Sequence, residues 1–106
     1  MAVLSEVQFA VINQAATATV VAAQAAGVKI RVVALYLVNT TAQTVTFKSA
    51  AGGTAISGPM AIGALGTLVL PMNVTGWFET AAAALLELSQ SGATQISGGL
   101  SWVAVS

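Results

Sequence analysis

Apolar and polar residues in this chain alternate on the two-residue period of strands rather than the 3.6-residue period of helices. Residues 44–49 (TVTFKS) are the clearest case, with Thr44, Thr46 and Lys48 on one face and Val45 and Phe47 on the other. Residues 29–33 repeat it, Lys29 and Arg31 standing opposite Ile30 and Val32. Over residues 32–38 (VVALYLV) the alternation stops, which predicts a strand buried on both sides. Short Val, Thr, Ile and Leu runs bounded by Gly, Pro, Asn and Ser predict strands over residues 6–12, 17–24, 29–39, 44–49, 66–70, 76–80, 85–89 and 100–105.

Turn residues punctuate these runs. Gly27 separates the second and third, residues 50–53 (AAGG) close the fourth, and residues 57–59 (SGP) and 71–73 (PMN) mark further turns. Gly98-Gly99 leads into the last strand. A strand every 10 to 13 residues or so predicts an all-β, antiparallel sandwich, with residues 1–106 as one domain. Residues 1–5 carry no pattern and are a candidate N-terminal arm that orders on assembly. Residues 79–88 (ETAAAALLEL) have two readings. Ala, Leu and Glu favour helix, but the flanking Gly76-Trp77 and residues 89–92 leave room for only about two or three turns. A loop followed by a strand fits that room better than one short helix.

Composition adds an expectation about surroundings. Only six of 106 residues are charged (Glu6, Lys29, Arg31, Lys48, Glu79 and Glu87), the net charge is zero and 57% of residues are apolar. A free soluble domain carries about 25% charged residues and depends on them for solubility. The sequence therefore predicts a subunit whose outer faces are covered by copies of itself or by another protein. The apolar excess is 22 Ala and 14 Val, in stretches shorter than the roughly 18 residues of a spanning helix, so no membrane partner is expected. No basic segment precedes an apolar one at the N-terminus, so no secretory signal is expected. Three cations are too few for a nucleic-acid groove.

Chemistry is sparsely represented. Without Cys or His there is no disulfide framework, thiolate metal site or common general base, so no catalytic residue, metal ligand or cofactor is expected. Glu79 and Glu87 are the one carboxylate pair of glycosidase type and read instead as isolated residues at strand ends. Asn39-Thr40-Thr41 and Asn73-Val74-Thr75 match the glycosylation tripeptide and read as turns. Trp77, Phe78 and Trp102 are interface candidates, read as core or subunit anchors ahead of a sugar-stacking platform. Lys29 and Arg31 complete the interface set, as members of ion pairs across a subunit boundary or contacts to an acidic partner.

An ordered series of segments resembles a group of small all-β virion proteins of tailed bacteriophages. The pieces are GVKIRV at 27–32, TVTFKS at 44–49, GPM at 58–60, GWFET at 76–80 and the stretch 95–105, together covering residues 17–105. The resemblance implies a structural protein with a jelly-roll-like β-sandwich that assembles as a homotrimer. Its expected place is the outer capsid surface, after synthesis in the host cytoplasm, with the major capsid protein as partner. Similar modules occur in fibres, so the alternative is a tail-fibre or receptor-binding domain that recognises host glycans. The Ala-rich run 81–84 departs from the pattern of that group, which is more polar there.

Overall fold

The computed structural model describes residues 6–106, which form two five-stranded antiparallel sheets and, among the described residues, no helix. The expected N-terminal arm, residues 1–5, lies outside the described residues. The strands are β1 (Gln8–Gln14), β2 (Ala18–Val21), β3 (Lys29–Asn39), β4 (Gln43–Ser49), β5 (Thr54–Ala55), β6 (Met60–Ile62), β7 (Thr67–Leu70), β8 (Phe78–Glu79), β9 (Leu86–Gln90) and β10 (Ile96–Val105). The first sheet runs β1-β10-β3-β7, with β8 also on β3; the second runs β2-β9-β4-β5, with β6 also on β4. Both faces that meet are apolar. Ile30, Val32, Leu37 and Leu100 from the first sheet and Val45, Phe47, Leu86 and Leu88 from the second are members of one buried cluster, giving a β-sandwich-like arrangement.

The unbroken apolar run of β3 has a different cause from the expected two-sided burial. Ser101 pairs with Ala34 and Trp102 with Val32, leaving Val33 as an extra, unpaired residue. This bulge exchanges the faces of the strand. Before it, Ile30 and Val32 point into the core and Lys29 and Arg31 outward; after it, Leu35, Leu37 and Asn39 point inward, and Tyr36 and Val38 are exposed. The loop 71–77 seals the irregular edge, the Asn73 amide donating to the Val33 carbonyl and the Trp77 amide to the Val32 carbonyl, both at 2.8 Å.

Residues 79–88 form a loop followed by a strand. Ala83 adopts φ 60°, and its amide donates to the Val28 carbonyl at 2.8 Å, while the Ala81 amide donates to Ser49 Oγ at 2.9 Å. A helix of two turns has few internal bonds to offset its nucleation, and these long-range partners replace it. Two short strands, β5 and β6, were not legible as strands in the sequence. The last strand is longer than expected, starting at Ile96, so Gly98-Gly99 lies inside it rather than before it. A β-carbon at Gly98, whose φ is 151°, would collide with the Tyr36 carbonyl of the neighbouring strand.

Candidate interaction surface

The two sheets present different outer faces. On the second, the outward positions are Thr19, Thr44, Thr46, Lys48, Glu87 and Ser89, with Thr46 paired to Ser89 and Lys48 to Glu87 across β4 and β9. Glu87 is buried under the turn at 50–53, its carboxylate accepting from the Gly52 amide at 3.2 Å. On the first sheet, Val11, Gly99, Tyr36 and Val69 stand in register across four strands. Phe9 and Val38 flank that row, and Val7, Phe9, Val11, Tyr36, Val38 and Val69 are each 46–69% exposed. The largest exposed apolar patch on a monomer, typically about 300–600 Å², is often functional.

Gly99 shapes this face. The Phe9 ring lies over it, and a β-carbon there would collide with the ring. Phe9 also stacks on Tyr36, with centroids 6.5 Å apart and planes inclined by 22°. The pair forms a ridge between two grooves. One, of about 450 Å³, is lined by Val11, Asn13, Tyr36, Val38 and Ser97; the other, of about 170 Å³, by Phe9, Ala34, Tyr36, Val69 and Ser101.

Beyond the bulge the same outer face turns polar. Arg31 Nε lies 2.9 Å from Glu79 Oε1, and Lys29 Nζ 3.6 Å from Glu79 Oε2. Lys29 and Arg31 are thus paired within the chain, where the sequence left a cross-subunit pairing open. Glu79 and Glu87 belong to different sheets and are each engaged by groups of the chain itself. Among the described residues, no three acidic, His or Cys side chains gather as a metal site, and every buried side-chain nitrogen or oxygen has a partner.

The aromatic candidates separate. Trp102 is 6% exposed and belongs to the core, out of reach of a partner. Phe78 packs against that core and stacks on Phe47 at 4.7 Å. Trp77 alone is at the surface, and its Nε1 donates to the Pro71 carbonyl at 2.8 Å. The three do not form a common platform. Exposed aromatic surface instead comes from Phe9 and Tyr36, on strands 25 or so residues apart in sequence, and only the topology brings them together.

Both glycosylation-like tripeptides serve the fold. Asn39 is fully buried, donating to the Ile62 and Gly63 carbonyls and accepting from Gln43 Nε2 at 2.8 Å. Gln43 Oε1 accepts from Gln90 Nε2, and Gln90 Oε1 accepts from Gln14 Nε2, so a chain of amides ties both sheets together at one end of the molecule. Asn73 Oδ1 accepts from the Thr75 amide at 3.1 Å, closing a turn. No helix among the described residues is long and apolar enough to cross a membrane. Comparison with family models, with curated proteins and with solved structures finds no match to the chain.

Proposed function

We propose that the chain is a structural subunit of a tailed-bacteriophage virion, a capsid decoration (cement) protein that binds the outer head surface as a homotrimer. One observation carries the reading: a subunit with only six charged residues exposes Phe9, Val11, Tyr36, Val38 and Val69 together on one sheet face, a combination that favours a covered surface. The connectivity supports it. One sheet follows β1-β10-β3-β7 and the other β2-β9-β4 with β6 also on β4, an order compatible with the jelly-roll-like sandwich that the resemblance implies, an architecture common in capsid proteins. The ordered sequence resemblance to small virion proteins points the same way.

The mechanism is mass action. A protein that binds the assembled lattice and not its separated subunits stabilises the lattice by its binding free energy. A trimer bridging neighbouring copies of the major capsid protein multiplies weak contacts. Capsids lacking the protein should assemble, then release DNA at a lower temperature than complete ones, with host attachment unchanged. Heads of normal heat resistance on particles that no longer adsorb would reject this role. That result would favour the receptor-binding alternative, for which the exposed Phe9–Tyr36 pair beside Ser97 and Ser101 offers a glycan-stacking surface.

A further inference from the structure

We propose that the Phe9–Tyr36 face of the first sheet is the surface on which a second copy of this chain packs. The inference deepens the proposed function: it rests on the homo-oligomer and names the face that closes it. Charge selects the occupant. Residues 8–14, 34–38, 67–70 and 96–101, which build the face, include no Lys, Arg, Asp or Glu. A partner with an ordinary surface, about a quarter of it charged, would have to strip water from charges against an uncharged sheet. A second copy, with six charged residues in 106, brings a surface equally poor in charge, at equal concentration and with few charged groups to desolvate.

Shape agrees with charge. The Phe9–Tyr36 ridge stands beside grooves of about 450 and 170 Å³, so the face offers a neighbouring copy both a projection and a recess. Tyr and Phe are enriched at interfaces, and Tyr is among the residue types that concentrate binding energy when enclosed at the centre of one. Four strands about 4.8 Å apart and some five residues along each give a footprint of roughly 300–400 Å². A standard interface takes about 800 Å² from each partner. The sheet face therefore supplies the dry centre, and the loops around it supply the rim.

The test is sedimentation of the purified chain from low to high micromolar concentration, with far-ultraviolet circular dichroism to verify folding. Val38→Lys and Val69→Lys place a charge on the face at exposed positions, and Thr46→Lys places one on the opposite sheet. The first two should weaken association at least tenfold or so, and Thr46→Lys should sediment as the wild type does. Val38→Thr with Val69→Thr keeps β-branched shape and strand preference, and should weaken association severalfold even if a lysine variant fails to fold. Wild-type oligomer retained in the lysine variants and in the threonine double variant would overturn this face while leaving the homo-oligomer intact. A wild-type chain that is monomeric throughout the range would overturn both, and glycan binding by that monomer would assign the face to the alternative.

Discussion

The outer faces of the two sheets are built on the same scaffold and solve opposite problems. On the second sheet, Thr44, Thr46, Lys48 and Ser89 alternate with core residues, giving the half-solvated face that antiparallel sheets ordinarily present. On the first, the equivalent outward positions hold Phe9, Val11, Tyr36, Val38 and Val69. Backbone pairing and inward packing are alike in both. Polarity in this chain is therefore not merely low but unevenly placed: the first sheet carries Lys29, Arg31 and Glu79 at one end and an uncharged apolar patch over the rest of its outer face. Even within β3 the boundary is sharp: the bulge at Val33 divides an outer face with Lys29 and Arg31 from one with Tyr36 and Val38.

The most severe way to break the comparison is to remove the core on which both faces depend. Phe47 from the second sheet is fully buried, and Trp102 from the first is 6% exposed. Replacing either by Ala should cost about 3–5 kcal/mol, read as a large drop in thermal midpoint or loss of folding. Similar losses would confirm that the sheets share one core and differ only outside it. Trp77→Ala removes a half-exposed ring and one hydrogen bond, and should cost clearly less. If Trp77→Ala proved as damaging as Trp102→Ala, the division into buried and surface aromatics would be wrong.

The inner side of this fold was legible because strand alternation depends on burial of one face. Val45, Phe47, Ile30 and Val32 declare their faces within a few residues. The apolar outer face was not, because its members are distant in sequence and an outward Val reads like an inward one. The run VVALYLV was ambiguous for the same reason: a bulge and two-sided burial leave the same local pattern, and only pairing with Ser101 and Trp102 distinguishes them. For Trp102, read from the sequence as a core or subunit anchor, the burial selects the core, a choice that no local period could make. The chain from Gln14 to Asn39 was hidden because its four amides lie on four strands.

A finer cut comes from the two glycines of β10, which lie on opposite sides of one strand. At Gly98 the obstacle to a β-carbon is the Tyr36 carbonyl, fixed in the sheet, and φ is 151°. Gly98→Ala must distort backbone, and should cost about 2–4 kcal/mol. At Gly99 the nearest obstacle is the end of the Phe9 ring, which can swing away. Gly99→Ala should cost only about 1 kcal/mol in the thermal midpoint, yet weaken association by displacing Phe9 from Tyr36. Equal loss of stability in the two variants, or unchanged association in Gly99→Ala, would remove the distinction between a glycine required by the sheet and one required by its surface.

The smallest effect is expected at the charged end of the first sheet. Glu79 holds both Lys29 and Arg31, and its side chain is 33% exposed. Pairs open to solvent contribute about 0–1 kcal/mol and are screened over about 10 Å at 0.1 M salt. Glu79→Gln should therefore lower stability by less than about 1 kcal/mol, with the difference from wild type shrinking as NaCl is raised. Association should not follow the same course. If the apolar face closes the oligomer, raising NaCl to about 1 M should leave the wild-type assembly intact, because no ion pair lies on that face and apolar burial is not screened. An oligomer that dissociated in salt, or that was lost in Glu79→Gln while the fold survived, would move the contact from the Phe9–Tyr36 ridge to the ion-pair end of the same sheet. The contrast between the two outer faces would then lie in charge placement rather than in exposed apolar area.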